Sequence, residues 1–537
     1  MLGTMMDVPM LVSRMLDHAA DSHPEIEVVA RDVRGKVERE TWAGMRHRAK
    51  CLAQALSALG IGVDDCVGSL AWNTLDHLDV FYASLGIGAG LHTLNPRLSA
   101  DDLQYMVDSV GETIVFIDAA TLELAERLAP LVPAVTRWIF MGAGAPEATT
   151  LPGLVCKDDL VAGYDGALEW PLFDERQAAT ICFTSGTTGR PKGVVYSHRS
   201  ITLSSMNMSM ADMYATAQPG VRECVMPIAA IFHANAWMMP LTAPMNGHKL
   251  VLPGRAFDPA SLVELIRDER VTLAAAVPTI WQDVLDHVTA LDVKLPWLRT
   301  ALLSGTRPAA ALTEALATYG ISLCQSWGMT EVPGATRGSP PLGTSDLPGE
   351  ERHRIQTQYQ GRTGFQIEMK IVGDGGIDLT GTGLPGQLFV RGPSVAGCYL
   401  GDPSEAQVHW LDTGDIALIG EGGRVQIVDR SKDVIKSGGE WISTLALESA
   451  AASHPHIHQA AAIGVPHPRW QERPLLLCTV IAGKALDTQQ VLAHMAQHVA
   501  KWCLPDEVRV IASMPLTTTG KIDKVALRRA HAPEANA

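Results

Sequence analysis

Residues Thr184–Gly193 read TSGTTGRPKG, lying between the apolar runs TICF and VVY. Three glycines and four hydroxyl residues make a loop whose backbone N–H groups can converge on one anion, and Lys192 adds a cation. That is the chemistry of a loop wrapped around nucleotide phosphates. It is not a Walker A loop, because no Gly-Lys-Ser/Thr ends it. The flanking strand signals predict a loop that closes a hairpin rather than one that opens a helix. Taken alone, such a run is more often a Gly/Thr surface turn.

Five further segments carry chemistry. SWGMTE, residues 326–331, follows a strand pattern, where ligand loops of parallel sheets lie. In it Trp327 offers a flat face for a base, and Glu331 an oxygen ligand for Mg²⁺. LDTGD, residues 411–415, places Asp415 after a tight Thr-Gly turn, and its carboxylate suits a pair of ribose hydroxyls. VDRSKDVIKSGGEWIS, residues 428–443, supplies Arg430 for a second ribose or phosphate contact and a Gly-Gly pair at 438–439. TTTGKIDK, residues 517–524, puts Lys521 in a Gly-containing loop. FHANAW, residues 232–237, sets His233 and Trp237 four apart, on one face if this is a helix. Each is weak alone: charged turns are usually solvated, and a lone His or Trp is usually core.

These segments need a frame. Helical and strand patterns alternate from about residue 40 to 330. WAGMRHRAKCLAQALSALG has apolar residues at helical spacing and ends in glycine, and VGSLAW, ETIVFID and KLVLPG read as strands. Asp258-Pro259 predicts an N-cap and a first-turn proline for the helix SLVELIRDER. TLAAAV, TALLSG and ISLCQSW are further strands, separated by helices over 278–288 and 309–319. This repetition implies an α/β fold with parallel sheets covered on both faces. From about 355 to 430 short glycine-bounded strands predict a β-rich unit, and the remainder is α+β. The expected boundary lies at Asp429–Lys432, dividing the chain into 1–429 and 430–537.

Composition narrows the function classes. The chain has 537 residues and a net charge of −15, which argues against general nucleic-acid or anionic-membrane binding. Cations gather locally instead, at Arg430, Lys432 and Lys436 and at Lys521, Lys524, Arg528 and Arg529. Nine scattered cysteines without CxxC pairs argue against a zinc site or disulfide framework and for a reducing compartment. The first 25 residues read as a short amphipathic helix rather than a signal peptide. No apolar run reaches the roughly 18 residues that mark a membrane span. The expected location is the cytoplasm.

In this order and spacing the segments resemble the adenylate-forming (ANL) superfamily of acyl-CoA synthetases, luciferases and peptide-synthetase adenylation domains. The resemblance runs from WAGMRHRAKCLAQAL to GKIDKVALRR. YSHRS, FHANAWMMP and KSGGEWIS look most like the medium-chain fatty acyl-CoA and methylthioalkanoate-CoA ligases. The resemblance implies a large N-terminal domain with a β-rich subdomain and a small mobile C-terminal domain. It implies an acyl-adenylate made from ATP and a short- or medium-chain aliphatic acid, then acyl transfer to CoA.

Residue by residue, it places the β and γ phosphates on Thr184, Ser185, Gly186, Thr187, Thr188, Gly189 and Lys192. Gly305, Trp327, Gly328, Thr330, Asp415 and Arg430 complete the ATP site, with Mg²⁺ at Glu331. Lys521 lies between carboxylate and α-phosphate, so Lys521, His233 and Glu331 are the expected catalytic residues. His233 and Trp237 wall the acyl pocket. Lys432 is the hinge, and Lys436, Gly438, Gly439, Glu440 and Trp441 line the CoA passage. The expected partners are the acid, ATP and CoA, with a homodimer admitted.

Two departures stand out. Ser304-Gly305-Thr306-Arg307 replaces the Gly-Gly-Ser-Ala found in many relatives, where Arg307 either contacts a polar or anionic substrate group or, the favoured reading, points outward, and Trp327 replaces a frequent Tyr. An alternative is loading an amino or aryl acid onto a carrier protein. Ala234 follows His233 where an aspartate would hold an α-amino group, and no carrier domain is expected after Ala537, so this reading is weaker. A non-catalytic nucleotide-binding protein is the third reading, and the presence of Lys192, Glu331, Asp415, Arg430 and Lys521 gives it no support.

Overall fold

The computed structural model describes the whole chain except residues 2, 143, 145, 147, 185–189, 211–219, 306–307, 309, 339–342, 403–407, 439, 518–519 and 533–537. Two seven-stranded sheets form its larger part. One runs, in spatial order, Leu154–Cys156, Arg137–Met141, Ile114–Asp118, Cys66–Leu70, Gly90–Leu94, Ala178–Phe183 and Gly193–Ser197. All its neighbours are parallel except the last pair, an antiparallel hairpin. The other runs Ser322–Gln325, Thr300–Leu303, Leu273–Ala276, Cys224–Pro227, Lys249–Leu252, Glu27–Arg31 and Val37–Thr41. Here too only the final pair is antiparallel. Glu27–Arg31 reaches its sheet from far along the chain, with Val29 opposite Val251.

Strand periodicity explains how both sheets are covered. Side chains alternate between faces, so each strand must be apolar twice over. Val28, Ala30, Leu250, Leu252, Leu273, Ala275 and Leu302 enter a core shared with Ile114, Phe116, Ile139 and Met141 of the other sheet. Their neighbours Val29, Val251, Ala274, Ala276, Ala301 and Leu303 face a second cluster around Trp281. Val115, Ile117, Trp138 and Phe140 likewise face a third. The helices between the sheets, Trp42–Ala58 and Leu75–Gly86, begin at Thr41 and Thr74, whose hydroxyls accept from Gly44 N and His77 N. Asp258 caps Pro259–Asp268 as its sequence predicts.

A four-stranded antiparallel sheet follows: Glu368–Val372, Gly386–Arg391, Leu411–Ile419 and Val425–Arg430. The LDTGD segment corrects the sequence reading. It is not a turn but part of the strand Leu411–Ile419, which slips register against Gly386–Arg391. Gly414, at φ 68°, takes the left-handed conformation that such a bulge needs. The C-terminal sheet consists of Glu440–Ile442, Ile435–Ser437, Gln471–Val480 and Ile457–His467, with Glu507–Val510 pairing alongside Gln471–Val480. Helices Thr444–Ala452, Thr488–Met495 and Lys524–His531 accompany it. Among the described residues no helix is long and apolar enough to cross a membrane.

Candidate active site

The glycine loop closes the Ala178–Phe183/Gly193–Ser197 hairpin, with Phe183 opposite Gly193. Thr184 and Lys192 close its neck. Thr184 N donates to Lys192 O at 2.9 Å, and Lys192 N donates to Thr184 Oγ1 at 3.2 Å. Ser185, Gly186, Thr187, Thr188 and Gly189 lie outside the described residues, as do Thr306, Arg307 and Gly439. Lys192 Nζ stands 4.6 Å over the Tyr399 ring. Tyr399 in turn donates its hydroxyl to Glu331 Oε1 at 2.7 Å. Burial and the Glu331 carboxylate push that phenol well above its usual range, so it stays a donor. The strand bearing Gly193 is pinned to the Glu331 loop a second time, by Tyr196 donating to the Thr330 carbonyl.

A second group forms where Trp327, Asp415 and Arg430 meet. The indole Nε1 donates to Asp415 Oδ2 at 2.8 Å, and Arg430 Nε lies 2.7 Å from Asp415 Oδ1. Asp415 and Arg430 are register partners on adjacent strands, which fixes their pairing. Asp415 is only 1% exposed. Burial pushes its carboxyl above the usual range, although Arg430 and Trp327 pull the other way. Trp327 thus donates a hydrogen bond from the position where many relatives carry a tyrosine hydroxyl. Gly328 allows the loop to fold tightly, since a Cβ there would stand 2.8 Å from Gly334 N.

Lys521 comes to this second group from the C-terminal unit. Its loop is drawn in by the Leu516–Ile522 bridge, with Gly520 at φ 79°. Gly305 is at φ 96°, a conformation glycine adopts freely, and a Cβ there would stand 2.9 Å from Lys521 Cε. Burial and Arg430 pull the Lys521 ammonium down to about 8, against the opposing attraction of Asp415. Lys432 sits in the turn after Arg430, where Asp433 and Val434 both donate to the Arg430 carbonyl. Arg528 ties that turn to the last helix through Asp433 at 2.6 Å.

His233 lines a cavity with Thr93, Asn95, Phe183, Thr184 and Phe232. It therefore lies at the mouth of the glycine loop. The right-handed helix that would put His233 and Trp237 on one face does not form. Ala234, Asn235, Ala236, Trp237 and Met238 all have positive φ, from 37° to 59°, making a left-handed turn. Asn235 holds it: Thr180 Oγ1 donates to its Oδ1 at 2.5 Å, and its Nδ2 donates to Ile231 O at 3.3 Å. Trp237 is half-buried against the shared core. The Lys436–Trp441 hairpin is placed differently. It pairs with Gln471–Val480, and Gly438 N donates to Trp470 O at 2.9 Å. Gly438 is at φ 62°, and a Cβ there would meet the Trp470 ring at 2.8 Å. Lys436 and Glu440 are exposed, and Trp441 is 40% exposed.

Tyr399, Tyr196 and Trp470 were not legible as site residues. Tyr196 stands in YSHRS, but nothing local marks its hydroxyl, Tyr399 or Trp470 as site groups, and hydrogen bonds across the fold bring them to the loops.

Residues 16–400 match the AMP-binding enzyme family, and residues 446–521 match the AMP-binding enzyme C-terminal domain. The chain belongs to the AMP-binding enzyme family, the adenylate-forming ligases. It is 40% identical to a 3-methylmercaptopropionyl-CoA ligase of Ruegeria lacuscaerulensis, over 98% of both chains. It is 39% identical to a medium-chain-fatty-acid–CoA ligase of Ectopseudomonas oleovorans, over 98% of this chain and 97% of that one. Its fold matches an anthranilate CoA ligase solved with anthranoyl-AMP, with a TM-score of 0.85 over 98% of both chains at 22% identity.

Proposed function

We propose that this enzyme is an ATP-dependent acyl-CoA synthetase for a short- or medium-chain aliphatic acid, thioether acids included. The observation that carries the reading is the seating of Lys521 against Gly305, beside Asp415 and Arg430. A cation held next to a buried carboxylate that is paired with an arginine suits a nucleotide whose α-phosphate is under attack. The relatives that align over nearly the whole chain bear the names of CoA ligases, which supports the same chemistry.

In the first half-reaction a carboxylate oxygen attacks the α-phosphorus of ATP and pyrophosphate leaves. Two anions must approach, and Lys521 offsets their repulsion. The 184–192 loop and Lys192 hold the β and γ phosphates. Asp415 accepts from the ribose hydroxyls, Arg430 holds Asp415 in place, and Trp327, Gly328, Thr330 and Gly305 bound the base and α-phosphate. His233 lies at the carboxylate end of the acyl pocket, and Trp237 limits its depth. In the second half-reaction the C-terminal unit turns about Lys432. Lys521 leaves, and Lys436 and Gly438–Trp441 line the approach of the CoA thiol. The thiolate attacks the acyl carbonyl and AMP leaves. We place the boundary of the two units at Asp429–Lys432, giving 1–429 and 430–537.

Mg²⁺ fits at Glu331. The donor set is one buried carboxylate beside a phosphate loop, and among the described residues no His/Cys/Asp/Glu group of three or more forms a cage. Mg²⁺ binds in this way, through one or two carboxylates plus phosphate oxygens. When bound it supplies positive charge to the departing pyrophosphate. Tyr399 keeps the carboxylate oriented.

The test is pyrophosphate release with and without CoA, over aliphatic acids of increasing length, 3-methylthiopropionate, benzoate and amino acids. Turnover with aliphatic acids that requires CoA supports the proposal. Amino-acid-dependent exchange without thioester, or no activity with any acid, overturns it.

A further inference from the structure

Besides Gly305, the described residues that meet the Lys521 loop include the helix Pro278–Ala290 and its N-cap Val277. Thr279 donates its hydroxyl to the carbonyl of Gly520, the residue just before Lys521, at 3.1 Å. Val277, which caps that helix, packs against both sides of the contact. One methyl lies 3.8 Å from the Cβ position of Gly520, and the other 3.4 Å from that of Gly305. Two turns along the same helix, Asp286 Oδ2 lies 3.6 Å from Nε2 of His458, on the C-terminal strand Ile457–His467. Gln282 donates to the other oxygen of Asp286 at 2.9 Å and steadies the carboxylate.

Positions 279, 283 and 286 are spaced i, i+4, i+7 and share one face of the helix. The opposite face is spent on the core through Trp281, Val284, Leu285 and Val288. The helix is therefore fixed to the large sheet and offers a polar edge outward. The C-terminal unit meets that edge at two points, seven residues or about 10 Å apart along the axis. One contact would leave a pivot, whereas two on a rigid edge define an orientation. Both contacts must break when the C-terminal unit turns about Lys432, so their strength sets how long Lys521 stays seated.

We propose that the 279–286 edge is the docking track of the C-terminal unit in its adenylate-forming arrangement. Thr279 and the Asp286–His458 pair act on it as positioning residues for Lys521. The inference rests on the ligase reading and names what biases its two half-reactions. None of these side chains touches the reacting atoms. They act through the placement of Lys521.

The test uses the full-length enzyme and two separate assays: acid-dependent pyrophosphate release without CoA, and thioester formation from synthetic acyl-AMP and CoA. Thr279→Val removes the hydroxyl and keeps the shape. It is expected to slow adenylation about fivefold, the size of one lost hydrogen bond, while thioester formation is unchanged or faster. His458→Glu sets a like charge against Asp283 and Asp286 and should slow adenylation in the same selective way. Adding Asp286→Lys to that variant should restore it, a rescue that a merely structural role would not give. Equal loss in both assays, or no rescue, overturns the proposal. Wild-type enzyme inactive in both assays would sink the ligase reading itself, and the proposal with it.

Discussion

Lys521 shows how burial sets up chemistry at a single residue. Its ammonium is drawn down to about 8 from a usual 10.5. In the proposed mechanism only the protonated form brings a cation to the α-phosphate. The kcat/KM of adenylation should therefore fall as pH rises through about 8, because that parameter reports the free enzyme. Bound ATP adds negative charge and favours protonation, so the matching limb of kcat should move to higher pH. A CoA-free pyrophosphate assay across this range checks both, and a flat kcat/KM profile would show that Lys521 is not the titrating cation. The sign for stability is opposite. The buried charge costs stability below about pH 8, and that cost fades as pH rises toward 10.5. Lys521→Ala should abolish most adenylation, about 2–4 kcal/mol of transition-state stabilisation, and largely spare thioester formation from acyl-AMP. Trp327→Phe takes the indole donor from buried Asp415. It should raise the KM for ATP and cost about 1–3 kcal/mol in denaturant unfolding, with the acid KM little changed.

Among the elements, the left-handed turn over Ala234–Met238 is the least expected. L-residues disfavour this hand by roughly 1–2 kcal/mol each, so five in succession need support from their surroundings. Asn235 tolerates the conformation and is fully buried between Thr180 and Ile231. The turn changes what a substitution at Trp237 should do, since its indole lies against the shared core, and the proposed role in the acyl pocket must be told apart from packing. Trp237→Ala is expected to lower kcat/KM for the shortest good acid and raise relative activity toward longer ones. The shift should be about 1–3 kcal/mol in selectivity. A uniform loss with every acid, accompanied by a lower Tm, would show that Trp237 only packs the core. The hairpin at Gly438 makes the complementary case. Gly438→Ala adds a Cβ 2.8 Å from the Trp470 ring at a left-handed φ, so it should impair thioester formation and leave adenylation near wild type. Equal impairment of both steps would remove Gly438 from the proposed CoA passage.

Over the whole molecule, charge is buried where elements must stay together. Arg48, Asp76, Asp79 and Lys157 join the two inter-sheet helices to the short helix Lys157–Val161, and Asp79 is 1% exposed. Burial would raise the Asp76 carboxyl, but Lys157 and Arg48 together hold it below its usual range. Lys157→Met removes one partner and leaves Asp79 with Arg48 alone. It should destabilise the protein by about 3–5 kcal/mol in denaturant unfolding without changing the balance of the half-reactions. The second clause separates this cluster from the 279–286 edge, where stability should hold and the balance should move. A stability loss within measurement error would mean that water reaches the cluster after all.

The alternation of apolar runs and capped helices, read from TLAAAV, TALLSG and Asp258-Pro259, determined the α/β class, because strand and helix periods are local properties. The glycine loop, TGD and GK segments determined the family, because phosphate and ribose chemistry restricts which residue types serve. What tertiary structure decided is pairing and hand. Nothing near residue 28 says that its strand lies beside residue 250, or that the strands divide between two sheets around one core. Gly414 read as a turn residue, and only the register between neighbouring strands makes it a bulge. FHANAW put His233 and Trp237 on one face only if it were a helix, and the buried bonds of Asn235 to distant Thr180 and nearby Ile231 accompany a left-handed turn instead. Trp327 reaches Asp415 across 88 residues. Thr279 reaches Gly520 across 241. Contacts at such separations leave no periodic trace in a chain, since they are chosen by packing after the local elements have formed.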